Sequence, residues 1–392
     1  MKRELTLTLT TDGERVTALD VRLPRFDATA LLAQRQASEA AVLLPSVFSI
    51  CAQAQAAAAA GAISAACAQP LSPTLMAGHT LAVQIESVQE SLRSLCLGLP
   101  ETLLSRQSAQ RSEQGVALIA DFSQAWRDST AFLARLQKAL CNDAAHDKAS
   151  ALAALIQEAK QIAQAWDHFC TRHVYGVSVL HWQGEGNSVG NSVGNSAASD
   201  VLPVMRWFRQ MAKDVPVLGK TALSPLPLAM FRAGKLSWQA LVHAPYDASA
   251  WWRVQQDSRM APVAARFGNG AVARLWARLV DVARTLGELL DATAEKKEER
   301  PWIRVHSLGD GDGMAEVECA RGVLVHRVQL AAQSVVAYEV CAPTDWNLHR
   351  DSALATLIGL PATDAACLQT HATWLVQVLD PCVAFDVEVI HA

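Results

Sequence analysis

The chain lacks the features that mark several large classes of protein. Charged residues make up only 18% of its 392 residues, and 34 basic against 38 acidic side chains give a formal net charge of −4. Because nucleic-acid binding needs clustered basic side chains, this balance predicts no nucleic-acid partner. Nine cysteines, an odd and small number, do not build a disulfide framework, and the first residues contain no apolar secretion signal. We therefore expect a cytoplasmic protein, and a hydrophobic content of 51% excludes a disordered chain.

A hydrophobic run long enough to cross a membrane is also missing. Residues 40–85 contain no Asp, Glu, Lys or Arg, but prolines and glutamines interrupt them. The longest apolar run, Ala56–Ala68, is mostly alanine and is shorter than the roughly 20 residues that a membrane span needs. We predict no membrane insertion and expect this stretch to be buried core.

Alternating apolar and polar residues predict strands near both ends of the chain. Residues 4–10 and 15–22 alternate around an Asp-Gly pair, which is typical of a β-hairpin turn. In the C-terminal third, residues 323–330 and 335–341 predict a second pair of strands. Residues 380–392 are expected to form a short tail.

The middle of the chain has the pattern of long amphipathic helices. Apolar residues at spacings of three and four predict helices over residues 72–98, 155–169, 272–290 and 364–379. Asp27 is expected to cap an earlier helix that ends at Leu44, before Pro45. Residues 184–199 carry a tandem Gly-Asn-Ser-Val repeat, which predicts a flexible surface loop.

Three motifs that could carry chemistry have simpler explanations. The repeat produces two G-x-S-x-G matches, but a nucleophile elbow needs a helix directly after its turn, and no helix pattern follows at once in the sequence, so a loop is favoured. Gly309–Gly313 resembles the start of a calcium loop, yet the glutamate that should end the loop is replaced by Arg321, so a turn is favoured. His168, Cys170 and His173 share one helix without a second ligand pair, which favours structural roles.

Four stretches, in the same order along the chain, resemble motifs of nickel-iron hydrogenase large subunits. Residues Glu318–His326 resemble the E-A-P-R-G-x-L-x-H stretch, and Cys341–Asn347 resembles V-P-x-T-W-N. Asp380–Phe385 resembles the C-terminal D-P-C-x-x-C, and Ser46–Gln55 resembles R-x-C-G-x-C-x-x-x-H. The resemblance implies an α+β fold like that of the large subunit, with long central helices and small β-hairpins near the N-terminus and in the C-terminal third.

The same stretches depart from the enzymes at the positions that bind nickel. Of the four thiolates that hold nickel in the family, only Cys51 and Cys382 remain, and Phe48 and Phe385 stand at the other two positions. Further motif positions are replaced by Ser46, Gln55 and Glu388. Because soft thiolate ligation needs several cysteines, the resemblance implies that the protein binds no nickel. We expect the two phenyl rings to fill the vacated positions.

The iron side of the motif is retained. By resemblance, Arg321 matches the arginine that donates to a cyanide ligand of iron, and Thr344, next to Pro343, matches the residue that contacts the other cyanide. Cys51 and Cys382 are the implied metal ligands, so both ends of the chain should meet at one buried site. We expect Arg321 to help lower the pKa of the thiols, and Arg321→Leu to weaken iron retention without disturbing the fold.

This degenerate pattern is similar to the HupK/HoxV group of hydrogenase maturation proteins. It implies one trimmed large-subunit-like domain over residues 1–392 and a protein that is not an enzyme. The implied function is a scaffold that receives an Fe(CN)₂(CO) unit from HypC/HypD-type chaperones and delivers it to an immature hydrogenase large subunit. The alternative is a metal-free docking chaperone that mimics the large subunit to recruit maturation factors.

Overall fold

The computed structural model describes residues 4–24, 26–48, 50–98, 113–141, 148–184, 208, 212–213, 218–291 and 301–392. Apart from residue 184, the predicted Gly/Asn/Ser loop lies outside the described residues. Within the described part the chain combines long helices with two β-sheets, so the predicted α+β class is confirmed.

The helices occupy the first two thirds of the chain and return near its end. The first seven are α1 Ala28–Leu32, α2 Ala37–Val47, α3 Ala52–Ala66, α4 Pro73–Arg93, α5 Glu113–Cys141, α6 Lys148–Cys170 and α7 Val179–Gly184. The others are α8 Leu228–Arg232, α9 Trp238–His243, α10 Trp251–Val254, α11 Ala261–Phe267, α12 Ala271–Leu290, α13 Pro343–Asn347 and α14 Ala365–Leu379. Each long helix that the spacing predicted is present, and Ser72 and Asp364 cap two of them with their side chains.

The strands form a three-stranded and a four-stranded sheet. They are β1 Leu5–Thr11, β2 Val16–Arg22, β3 Ile303–Gly309, β4 Asp312–Cys319, β5 Gly322–Ala331, β6 Ser334–Cys341 and β7 Phe385–His391. The strand orders are β2-β1-β7 and β3-β4-β5-β6. The predicted N-terminal hairpin and the β5–β6 pair are confirmed, and Gly309–Gly313 is the turn region between β3 and β4.

The two ends of the chain lie side by side in the smaller sheet. The expected tail is in part strand β7, which pairs in parallel with β1 from Leu5 opposite Phe385 to Thr11 opposite His391. The prediction of a tail was wrong because the alternation in this segment is short and its partner lies at the other end of the sequence. The pairing holds the segment that follows Cys382 against the first strand of the chain.

The helix predicted from Asp27 to Leu44 is interrupted. Asp27 caps its start as predicted, accepting from the backbone N–H of Ala30 at 2.9 Å. The chain then leaves the helix at Gln34, whose φ is 67°, and Gln34 N–H donates to the carbonyl of Val335 on β6. Backbone pairing with a sheet edge thus replaces the middle of the predicted helix.

Helix α3 lies directly on the four-stranded sheet because both surfaces are made of small residues. A Cβ on Gly313 of β4 would come within 2.1 Å of the Ala62 carbonyl oxygen, and one on Gly61 would lie 2.9 Å from the Ala315 Cβ. Seven of the ten alanines of α3 are buried, which confirms that this part of the charge-free stretch is core. Among the described residues, no helix is long and apolar enough to cross a membrane.

A buried polar chain connects α3 to the sheet. His326 on β5 is fully buried, and its Nδ1 lies 3.0 Å from the hydroxyl of Tyr338 on β6. Its Nε2 lies 2.8 Å from Gln55 Oε1, so the imidazole donates to the glutamine and accepts from the tyrosine. Burial lowers the pKa of His326 from 6.5 to about 3, so the ring stays neutral in the folded protein.

This pKa predicts a specific loss of stability in acid. The unfolded chain takes up a proton at His326 below pH 6.5 and the folded chain does not, so the free energy of unfolding falls as pH falls. Between pH 7 and pH 5 this residue alone should cost roughly 2 kcal/mol. The free energy of unfolding of His326→Gln, measured by urea, should fall between pH 7 and pH 5 by about this amount less than that of the wild type.

The matched control is His243→Gln, because His243 lies on the exposed face of α9. It should follow the wild type at both pH values. An unchanged difference between pH 7 and pH 5 in the His326 variant would contradict the buried, neutral imidazole.

Candidate functional site

The four motif stretches meet at one small, largely enclosed cavity. Its lining includes Cys51, Cys319, Arg321, Pro343, Thr344 and Cys382. The structure therefore brings together all five residues that the resemblance proposed, from both ends of the chain and from the four-stranded sheet. Cys319 is a third thiol at the cavity, and the sequence reasoning had not singled it out.

Cys51 lies at the start of helix α3, where backbone N–H groups lack partners within the helix. Glu86 of α4 satisfies two of them, accepting from Gln53 N–H at 2.8 Å and Ala54 N–H at 2.9 Å. Gln55, at the position of the family's histidine, directs its Nε2 towards Cys51 Sγ at 3.6 Å. The chain of hydrogen bonds from Tyr338 through His326 and Gln55 thus ends at this thiol.

The pKa of Cys51 differs in direction from the expectation. Burial, followed by the negative charges of Glu86 and Cys382, raises the pKa of the thiol well above its usual range. Arg321 lowers the pKa but is outweighed. Cys51 is therefore a neutral thiol in the empty site, and a metal must displace its proton in order to bind.

Cys382 enters the cavity from the turn that follows helix α14. Asp380 ends this helix in a left-handed conformation with φ of 53°, which turns the chain back before Pro381 and Cys382. Thr344, in the first turn of α13, donates its hydroxyl to Cys382 Sγ at 3.4 Å. The Thr344 hydroxyl and the Cys382 thiol are thus hydrogen-bonded to each other at the lining of the cavity.

Arg321 is held firmly at the turn between β4 and β5. Its Nε donates to the carbonyl oxygen of Asp380 at 3.0 Å, and its Nη2 lies 3.3 Å from Glu90 Oε2. Asn347 Nδ2 donates to the Arg321 carbonyl. At the next residue, Gly322 has φ of 124°, and a Cβ there would lie 1.7 Å from the Ala248 oxygen, so only glycine fits.

These contacts correct the expectation for Arg321→Leu. Arg321 is only 6% exposed, and leucine would remove one cationic partner from each of the buried carboxylates of Glu90 and Asp380. Breaking a buried ion pair in this way typically costs about 3–5 kcal/mol. The substitution would thus disturb the fold as well as the cavity.

Acidic residues around the cavity were missed at the sequence level. Burial raises the pKa of Glu86 to about 8, although the N–H groups at the start of α3 oppose the shift. Burial also acts to raise the pKa of Asp380, but the positive charges of Arg278 and Arg321 outweigh it and lower that pKa. The available signal was the pair Glu86 and Glu90, two carboxylates four residues apart on a helix with few other charged side chains.

The two phenylalanines do not fill the cavity. Phe48 packs edge-on against Phe26 with ring centroids 5.3 Å apart, and Phe385 on β7 packs against the main core. Neither ring is among the residues that line the cavity. The expectation that phenyl rings occupy the nickel positions was therefore wrong.

A layer of buried charges supports the motif from behind. Arg253 of α10 donates to both carboxylate oxygens of Asp281 on α12, at 2.8 and 2.6 Å. It also contacts Glu318 at 2.9 Å and the Cys319 carbonyl at 3.0 Å. The glutamate that opens the Glu318–His326 motif is thus a structural residue that fixes the turn carrying Arg321.

The metal-like cluster on α6 keeps its structural interpretation. Cys170 is buried, and His173 lies 2.8 Å from the carboxylate of Asp121. In the described part of the chain, no three His, Cys, Asp or Glu side chains are grouped so that they could hold a metal ion. The cavity instead offers thiols beside a guanidinium and a hydroxyl, which suits an iron that brings its own diatomic ligands.

Comparison with known proteins identifies relatives of one kind. No protein-family model matches the chain. HupK of Bradyrhizobium diazoefficiens, a hydrogenase expression/formation protein, is 27% identical over 99% of this chain and 97% of its own length. HoxV of Cupriavidus necator, with the same description, is 33% identical over 39% of each chain. HupV of Azotobacter chroococcum is 38% identical, but the match spans only 34% of that protein and 28% of this chain.

The fold is shared with solved hydrogenases. The Ni-Fe-Se hydrogenase from D. vulgaris Hildenborough superposes with a TM-score of 0.55 and 10% identity, over 96% of this chain and 95% of the other. An NAD⁺-reducing [NiFe]-hydrogenase gives a TM-score of 0.53 and 16% identity, over 96% and 94%. The predicted large-subunit-like fold is confirmed, and the chain is a relative of the HupK and HoxV hydrogenase expression/formation proteins, as its motifs predicted.

Proposed function

We propose that the protein acts in hydrogenase formation as a non-catalytic carrier of an Fe(CN)₂(CO) unit. The observation that carries the proposal is the meeting of Cys51, Cys382, Arg321 and Thr344 at one cavity. Two thiolates would bind the iron as cargo, and Arg321 and Thr344 would donate to the cyanide nitrogens. The proposed donor is a HypC/HypD-type chaperone pair, and the acceptor is an immature hydrogenase large subunit.

The chemistry of the cavity suits cargo that is bound and released. Because Cys51 is protonated in the empty site, loading must expel its proton, and protonation of the same sulfur would favour release. Donation from Gln55 Nε2 would stabilise the thiolate once it forms. Binding of the iron unit by two sulfurs is easier to reverse than binding by the four thiolates of the enzymes.

The size of the cavity requires that its wall moves during loading. Its volume is about 20 Å³, little more than the roughly 10–15 Å³ that a single water molecule needs on this measure. The segment that carries Ile50 and Cys51 precedes α3, and we expect this part of the wall to move. The Asp380 turn is held by Arg278 and Arg321, and we expect it to stay in place.

The main experiment is the infrared spectrum of protein purified from cells that contain the chaperone pair. We expect cyanide and carbonyl bands in the wild type, and their loss in both Cys51→Ala and Cys382→Ala. The double variant should be no worse than either single variant, because the two sulfurs form one site.

The sharpest control is Cys319→Ala. This thiol also lines the cavity, but its S–H group already donates a hydrogen bond to the Gly322 carbonyl oxygen, with Sγ and O 3.1 Å apart. We expect Cys319→Ala to keep the bands, as should Cys67→Ala and Cys141→Ala, whose thiols do not line the cavity. Normal bands in both single variants, Cys51→Ala and Cys382→Ala, would leave the metal-free docking chaperone as the better proposal.

Arg321→Lys tests the guanidinium without removing its charge. Lysine keeps a positive partner for Glu90 and Asp380 but loses the planar fork that can serve carboxylate and cyanide together. We expect the variant to fold and to retain the iron unit about ten- to a hundredfold less well, in keeping with one lost charge-assisted hydrogen bond. If Arg321→Lys keeps its cyanide and carbonyl bands through extended dialysis as well as the wild type does, Arg321 does not contact the cargo.

Metal analysis of the same preparations tests the proposed absence of nickel. We expect iron but no stoichiometric nickel, because the two remaining motif thiols are too few for soft nickel ligation. About one nickel per chain, lost in Cys51→Ser, would refute this and revive a hydrogenase-like centre.

A further inference from the structure

Behind Arg321 lies a second buried cavity that the proposed iron site does not use. It is lined by Ser249, Ala250, Arg274, Arg278, Arg321 and Asp380, among others. Arg321 and Ala320 separate it from the first cavity and line both. Its volume is about 20 Å³, which on this measure is enough for one water molecule or one ion of similar size.

Arginine side chains present unused hydrogen-bond donors at this cavity. Arg278 of α12 is 5% exposed and donates Nη2 to Asp380 Oδ2 at 3.1 Å, but its Nε and Nη1 have no partner among the described residues. Arg274, one turn earlier, donates its two terminal nitrogens to Asp247 and Ser249, and within the described part of the chain its Nε is unpaired. A buried donor without an acceptor destabilises the folded state, and more so when the group is charged, so an acceptor is expected here.

The charges around the cavity do not balance. The ion-pair network that reaches the cavity joins Arg93, Arg274, Arg278 and Arg321 to the carboxylates of Glu90, Asp247 and Asp380. Arg93 does not line the cavity and lies at the outer end of this network, where its side chain is 34% exposed. Four cations against three anions leave one positive charge in excess. The next carboxylate on α12, Asp281, is already shared by Arg253 and Arg284.

The pKa of Arg278 agrees with this imbalance. Burial lowers the pKa, and the positive charges of Arg321 and Arg93 lower it further, whereas Asp380 and Asp281 raise it. A single negative charge in the cavity would accept the free N–H groups and compensate the excess cation together.

We propose that this cavity binds one small monovalent anion of about the size of a halide ion, held by Nε and Nη1 of Arg278 and Nε of Arg274. The site stands whether or not the protein carries iron. Because Arg278 and Arg321 share the carboxylate of Asp380, the anion would also fix the floor of the first cavity.

Bromide is a direct probe, because its anomalous scattering distinguishes it from water. Crystals of the full chain grown without halide and soaked in bromide should show an anomalous peak within hydrogen-bonding distance of the free Arg278 nitrogens. In solution at constant ionic strength, replacing a bulky anion such as isethionate by bromide should raise Tm with a saturable dependence on bromide concentration.

Variants separate the site from general salt effects. Arg278→Met should lose the saturable rise in Tm, and Arg278→Lys, which keeps the charge beside Asp380 but not the Nε donor, should weaken it at least tenfold in midpoint. Arg284→Met is the matched control, because Arg284 lies on the same helix, is paired with Asp281 and Glu288, and does not line the cavity. It should respond as the wild type does.

Three outcomes would overturn the proposal. The first is a water molecule without anomalous signal in the cavity. The second is bromide scattered over exposed arginines with no saturable effect on Tm, which is an adventitious ion only. The third is an unchanged bromide response in Arg278→Lys, which remains informative if Arg278→Met fails to fold.

Discussion

The arrangement of the site depends on the buried guanidinium of Arg321, which two carboxylates from distant parts of the chain hold in place. Glu90 belongs to helix α4, and Asp380 ends helix α14 two residues before Cys382. A charge in the interior is tolerated only where its partners are fixed beside it. The ion pairs therefore require the central helix, the β4–β5 turn and the C-terminal segment to meet at one point. The thiol of Cys51 reaches that point because α3 lies directly on the sheet.

The charges around the cavity leave the Cys51 thiol without a positive partner of its own. Arg321 and the backbone N–H groups at the start of α3 are already matched by Asp380, Glu90 and Glu86, so little positive charge is left over for Cys51. For this reason its pKa rises with burial rather than falling towards that of an activated thiolate. In our proposal the iron itself supplies the missing positive charge. The empty site holds a neutral thiol, which oxidises more slowly than a thiolate does.

Local patterns predicted the local parts of this structure. Helix spacing and the side-chain cap predicted at Asp27 depend on neighbours within a few residues, and the structure confirms them. Family motifs added the long-range step of bringing Cys51 and Cys382 together. What escaped prediction depends on pairing across the chain: the parallel strand β7, the break at Gln34 against β6, and the carboxylates that face Arg321. No spacing rule in one sequence reports such partners.

The replacement of two motif cysteines by phenylalanine has a consequence for folding without metal. Phe48 joins an aromatic pair with Phe26, and Phe385 begins strand β7 opposite Leu5, packing against the main core. Full burial of a phenyl ring stabilises a fold by about 1.5–3 kcal/mol, and these two half-buried rings contribute part of that. Packing thus stabilises the segments on either side of the cavity where the enzymes have metal ligands. A chain held together in this way does not need an occupied site to keep its ends in place, and a carrier that alternates between loaded and empty states requires that property.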